Sequence, residues 1–108
     1  MAYKVVVTAR FKRHLRDIGD YIAAENPGLA RRWIGELEGK VLKLSSFPEA
    51  YPLAREYESH AVELRQMLFG RGRNKYRIIF TIRGSEVVVL DVRHGARDEL
   101  PPGSLGGV

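Results

Sequence analysis

The sequence contains no cysteine, which excludes disulfides and thiolate zinc centres from any reading of it. Its three histidines, His14, His60 and His94, are scattered and pair with no carboxylate at a ligand-like spacing, so no metal site is expected. Long apolar runs are also missing. Near the N-terminus only Val5-Val6-Val7 is continuously apolar, and Arg10 and Lys12 follow it closely. That run is too short for a signal peptide or a membrane span, so a cytoplasmic protein without a membrane partner is expected. Acids are absent from two stretches. None precedes Asp17, where Lys4, Arg10, Lys12, Arg13 and Arg16 fall. None lies between Glu63 and Glu86, where Arg65, Arg71, Arg73, Lys75, Arg77 and Arg83 fall.

What is present fits one small domain. The 108 residues carry 18 Lys and Arg against 13 Asp and Glu, a net +5. Two domains of half this length would each struggle to form a core. The positive balance points to a polyanionic partner, nucleic acid or an acidic protein, while solubility alone is the plainer explanation. The segregation of the cations into two blocks favours a polar working surface over scatter.

Residues 3–7 read as a short strand, with Thr8 placed to cap the helix that follows. From Ala9 to about Glu25, Phe11, Leu15, Ile18 and Ile22 recur at spacings that make one apolar stripe. Asn26-Pro27 ends this helix and starts another, since proline suits the first helical position and disfavours helix in the residue before it. The second helix carries Ala30, Trp33, Ile34, Leu37, Val41 and Leu44 on its apolar side. So short a break makes the two helices an antiparallel hairpin. Gly35 and Gly39 cost this helix about 1 kcal/mol each relative to alanine and read as places of close approach by another element.

A loop over residues 48–60 should pack on the domain. Three strands follow, Ala61–Phe69, Lys75–Arg83 and Glu86–His94, with Gly70–Asn74 a flexible basic connector and Gly84-Ser85 a turn. Such short connections require an antiparallel meander. In the second strand Ile78, Phe80 and Ile82 take one face and Arg77, Ile79 and Thr81 the other. The order β-α-α-β-β-β gives an α+β, two-layer domain: a helical hairpin packed on a small antiparallel sheet, the other sheet face open and lined by basic side chains. The domain is expected to span residues 1–99, with 100–108 a flexible tail.

Two segments carry a family resemblance. Lys75-Tyr76-Arg77-Ile78-Ile79-Phe80 resembles the Tyr-Arg-apolar-apolar-aromatic stretch of RelE/ParE toxins, and Val92-Arg93-His94-Gly95-Ala96-Arg97-Asp98 resembles the His-Gly-Ala-Arg signature of the ParE-like side of that superfamily. The element order is similar as well, and the likeness covers about residues 3 to 100. It implies the toxin of a type II toxin–antitoxin pair of the plasmid stabilisation family, held inactive by an antitoxin in a hetero-oligomer. Two activities are known in the superfamily. ParE-like members inhibit growth by binding DNA gyrase. RelE-like members are ribosome-dependent endoribonucleases that cut mRNA without metal or small-molecule cofactor.

Cleavage through the ribose 2′-hydroxyl needs a base, cations for the phosphorane and an acid for the leaving oxygen. By the resemblance, Arg65 falls where the nucleases carry a catalytic lysine, and Arg77 and Arg97 match two of their arginines. Met67 replaces their second lysine, and their C-terminal tyrosine has no clear counterpart. His94 is the one credible proton carrier near this set. Candidate catalytic residues, for a nuclease, are therefore Arg65, Arg77, His94 and Arg97; Arg71, Arg73, Lys75 and Arg93 are candidates for target or nucleic-acid contact. Plainer readings stand beside these: Arg65 and Arg77 as solvated strand residues, Arg97 paired with Asp98, His94 as a structural hydrogen-bonding group, His14 and His60 as surface. The depleted nuclease set favours gyrase binding, with the mRNase second and a non-toxic basic adaptor third. The antitoxin is expected to be acidic, to fold on the helical hairpin near Gly35 and Gly39, and to cover the basic face.

Overall fold

A computed structural model describes residues 2–95, Leu100 and Ser104 of the chain. Strand β1 (Lys4–Val7) leads through Thr8 into helix α1 (Ala9–Ala23). The Thr8 hydroxyl accepts the Phe11 N–H at 3.1 Å, the cap its position suggested. Asn26 caps α2 (Pro27–Leu42) in the same way, accepting from the Leu29 N–H at 3.0 Å, with Pro27 at the first helical position. The hairpin is closed by a glycine the sequence reading passed over. Gly19 is buried, and a Cβ built on it would lie 2.7 Å from Cδ1 of Ile34. Close approach of the two helices therefore occurs at Gly19, on the inner face of α1. Nothing lies within 4 Å of a Cβ built on Gly35 or Gly39, and both are exposed.

Strands β2 (Arg65–Phe69), β3 (Tyr76–Arg83) and β4 (Glu86–His94) form the antiparallel meander that their short connections require. The sheet order is β1-β4-β3-β2, and β1 joins β4 in parallel, Lys4 beside Glu86 through Val7 beside Val89. The sheet is thus mixed. A parallel neighbour needs a crossover, and the helical hairpin supplies part of it. Tight spots in the connector are met by Gly70 and Gly72 at φ of 105° and 57°, followed by a 3-10 turn over Gly72–Asn74.

Phe11, Leu15, Leu37, Val41 and Leu44 from the helices pack on Met67, Phe69, Ile78, Phe80, Val87, Val89 and Val92 of the sheet. Val89 and Val92, three apart, share this face because the pairing skips Leu90: Phe80 faces Val89 and Ile79 faces Asp91.

The opposite face corrects an expectation. It is not an open basic surface. Residues 54–64 fold over it, and Ala54, Leu64, Ile79, Val88, Leu90 and Leu100 form a second buried cluster there. The cause lies in the strands: Ile79, Val88 and Leu90 alternate with the first core's residues, so both faces are apolar and both need cover. Leu100 and Ser104, the two described residues beyond position 99, lie on the domain; Leu100 is buried, and the Ser104 carbonyl accepts from Arg10 at 3.2 Å. The remainder of the expected tail lies outside the described residues.

Candidate functional site

Strand register decides where the candidate cations point. Arg65 sits opposite Phe80 and in phase with Met67 and Phe69, on the helix side. Arg77 sits opposite Leu68 and alternates with Ile78 and Phe80, on the loop side. The two arginines therefore occupy opposite faces of the sheet and share no surface. Arg65 holds the loop, donating to the carbonyls of Glu49 at 3.1 Å and Tyr51 at 2.7 Å, and to the Glu63 carboxylate at 3.0 Å.

Arg77 is 1% exposed. Its two terminal nitrogens fork onto Glu56, Nη1 to Oε1 at 2.8 Å and Nη2 to Oε2 at 2.5 Å, and Nη1 also reaches Oε1 of Gln66 at 2.9 Å. The same carboxylate accepts the Leu100 N–H at 2.9 Å. Burial alone would raise the Glu56 pKa, but the hydrogen bonds and charge of Arg77, with the Leu100 N–H, outweigh it and hold the carboxyl below its ordinary range. Arg77 is thus a bidentate partner within the fold.

Above this pair lies a depression of about 310 Å³ whose rim carries Arg55, Arg73 and Lys75. Arg55 donates to the Gly95 carbonyl, and the Gly95 N–H donates to the Lys75 carbonyl at 2.7 Å, tying the end of β4 to its neighbours. Arg71, Arg73 and Lys75 are all exposed. This is the basic ground the connector promised, supplied by residues 71–75 and Arg55 instead of by the strand arginines. His94 stands beside it: its Nε2 lies 3.0 Å from the Arg73 carbonyl, and its ring meets Tyr76 edge-on at 5.5 Å. Burial raises the Tyr76 pKa, with the nearby Tyr21 adding to it. Arg97, the last of the candidate catalytic residues, lies outside the described residues.

The sequence reading missed Asp91. Its carboxylate is fully buried and accepts four hydrogen bonds: from Arg10 Nε at 3.0 Å, His14 Nδ1 at 2.5 Å, Arg93 Nη1 at 3.1 Å and the Val92 N–H at 2.8 Å. Since β1 ends at Val7, the outer edge of β4 beyond Val89 has no strand neighbour among the described residues. Thr8 takes over first, its N–H and hydroxyl both reaching the Val89 carbonyl, at 3.0 and 3.1 Å. Asp91 closes the next position by accepting the Val92 N–H, and Arg10 of α1 together with Arg93 satisfies the charge. A lone acid within the apolar run Val87–Val92 was the available signal, together with Arg10 and His14 spaced by four on α1. Arg93 and His14, taken respectively as a target-contact residue and a surface residue, both belong to this cluster.

A family model described as the ParE toxin of the type II toxin–antitoxin system parDE matches residues 5–99. The chain belongs to the ParE toxin family. Among solved structures it is similar to the chromosomal ParDE toxin–antitoxin system of P. aeruginosa, with a TM-score of 0.70 and 17% identity over 86% of this chain and 96% of that one. It is also similar to a double mutant of E. coli toxin RelE in the free state, with a TM-score of 0.60 and 17% identity over 89% and 86%. No curated protein matches the sequence significantly. As a ParE-family chain it lies within the RelE/ParE superfamily that the two sequence segments indicated, and the α+β order β-α-α-β-β-β is the shared fold. No helix among the described residues is long and apolar enough to cross a membrane. No group of metal-ligating side chains occurs among the described residues either.

Proposed function

We propose that this member of the ParE toxin family arrests growth by binding DNA gyrase and is silenced by a cognate antitoxin in the cytoplasm. The observation that carries the choice of target is the fate of the nuclease set. Arg65 and Arg77 lie on opposite sheet faces, each tied to protein partners. Met67 is buried where a second lysine would be needed. A phosphorane would find neither a converging pair of strand cations nor a strand lysine. A toxin that works by binding needs only a surface, and the basic rim of Arg55, Arg71, Arg73 and Lys75 offers one. Family membership supports the same reading.

Purified chain at micromolar concentration should block supercoiling by gyrase while mRNA in arrested cells stays whole. Intact supercoiling alongside mRNA cuts at the ribosomal A site would instead identify a ribosome-dependent endoribonuclease, with His94 and Arg97 the residues to replace first. Normal growth on induced expression would remove toxicity altogether and leave a basic adaptor.

The antitoxin reading rests on family membership and on charge: a +5 chain with a basic rim suits an acidic segment that orders as it binds. We place part of that contact on the outer face of α2. Gly35 and Gly39 are exposed, spaced by four, and have no neighbouring atom where a side chain would begin. Gly35→Trp should leave the melting temperature of the isolated chain unchanged or slightly raised, because the site is open and glycine is a poor helix former. It should weaken antitoxin binding about tenfold, a change of roughly 1.4 kcal/mol. Unchanged affinity in a titration of the complex would move the contact elsewhere.

A further inference from the structure

A groove of about 650 Å³ runs between α1 and the end of β4. That volume lies within the range of small-ligand sites. Its walls divide by chemistry. Ile18, Tyr21, Tyr76 and Val92 form an apolar side, and Arg10, His14, Asp17, Arg93 and His94 form a polar one. Tyr21 is 80% exposed, a large aromatic surface left open by the described residues.

Blunting of the β4 edge explains why Asp91 gathers cations. It does not explain what those cations leave turned outward. His14 gives its Nδ1 to the Asp91 carboxylate at 2.5 Å. With the Nδ1 proton directed at the carboxylate, it is the tautomer of His14 protonated at Nδ1 that turns Nε2 outward as an acceptor with its lone pair fixed in direction. Nε2 has no partner among the described residues. Arg10 spends Nε on Asp91 and Nη1 on the Ser104 carbonyl, which leaves Nη2 without a partner among the described residues. Asp17 adds a second acceptor one helical turn along α1 from His14.

An oriented acceptor, a guanidinium donor, a carboxylate and an exposed aromatic ring match the parts of one ligand class. We propose that this groove binds a ribonucleotide unit, either a free ribonucleoside monophosphate or the same unit within an RNA strand. The base lies against Tyr21 and the apolar wall, as bases do on aromatic platforms. The phosphate meets Arg10 beside Arg93. The ribose 2′-hydroxyl donates to His14 Nε2, and Asp17 accepts from a second hydroxyl or an exocyclic amine. The 2′-hydroxyl is the group that separates RNA from DNA at a protein site, and an acceptor held by a buried carboxylate is suited to reading it. Asp17 and Asp91 together balance Arg10 and Arg93, so these four side chains bring the groove no net charge. Inorganic phosphate alone is therefore a poor ligand, and the sugar and base supply much of the selectivity.

The proposal is separate from the gyrase reading and is tested without gyrase. The full chain is titrated with AMP, dAMP, inorganic phosphate and a hexaribonucleotide, following heat and the imidazole resonances of His14. AMP should saturate and shift His14, dAMP should bind about tenfold more weakly, and phosphate should bind weaker still. Tyr21→Ala, at an exposed position that leaves the fold intact, should weaken AMP and dAMP equally by about tenfold. His14→Ala should bring the AMP to dAMP ratio to about one. If only the hexaribonucleotide binds, and Tyr21→Ala and His14→Ala both weaken it, the unit is read within a strand and the proposal holds. It is overturned by equal affinity for AMP and dAMP, by a ratio that survives His14→Ala, by hexaribonucleotide binding indifferent to both variants, or by no saturable binding of any nucleotide.

Discussion

Replacing Glu56 with alanine should destabilise the domain by about 3–5 kcal/mol, the range for removing one partner of a buried ion pair. The Arg77 and Glu56 side chains are each 1% exposed, so the stranded guanidinium cannot recover its lost hydrogen bonds from water. The Leu100 N–H would lose its acceptor at the same time. A domain of this size has a margin of roughly 5–15 kcal/mol, so the variant should melt about 15–25 °C lower. A loss under about 1 kcal/mol in urea titration would mean that the pair is hydrated in solution. Restoring shape without charge separates packing from pairing: the double variant Glu56→Leu with Arg77→Met should regain most of the loss.

The same pair sets the acid limb of stability. Glu56 binds its proton less readily in the folded chain than in the unfolded chain, because the Arg77 and Leu100 contacts outweigh desolvation. Its contribution is complete above the ordinary carboxylate range and fades as pH falls through that range towards the lower folded value. Unfolding free energy measured against pH should therefore drop steeply in acid for the natural chain and less steeply for Glu56→Ala. Parallel acid limbs for the two proteins would contradict the assignment.

These features mark the boundary of what periodicity can reveal. Thr8, Asn26-Pro27 and the stripe from Phe11 to Ile22 are local signals, each decided by a few neighbouring residues, and the helices follow them to within a few residues. The meander was equally legible, since connectors as short as Gly84-Ser85 allow little else. The parallel place of β1 was not, because strand neighbours distant in sequence leave no spacing to read. Register caused the largest miss. Arg65 and Arg77 look like one basic surface when counted as strand cations, yet the pairing of Arg65 with Phe80 and of Leu68 with Arg77 sends them to opposite faces. Glu56 was likewise hidden, as an acid in an irregular loop carries no mark of the strand residue it will meet. The cations that did prove exposed, Arg71, Arg73 and Lys75, lay in a connector where composition alone was informative.

Asp91 presents the second large effect, and it tests whether the groove is held by one carboxylate. Asp91→Ala leaves the Val92 N–H without an acceptor at the β4 edge and sets Arg10, His14 and Arg93 close together with no anion between them. The side chains of Arg10 and His14 are 26% and 30% exposed and regain water, while that of Arg93, at 12%, regains less. The expected loss is therefore about 3 kcal/mol, at the lower end for breaking a buried ionic cluster. Asp91→Asn should cost less, since its amide oxygen can still accept the Val92 N–H, although it no longer offers two charged oxygens to two guanidiniums and an imidazole. The damage should also be local. Amide exchange should quicken first in α1 around Arg10–His14 and along Leu90–His94, before the Leu37 and Leu44 region of the core opens. Uniform loss of protection across both helices would show that Asp91 supports the whole fold, and would remove the reason to regard the groove as a separately built surface.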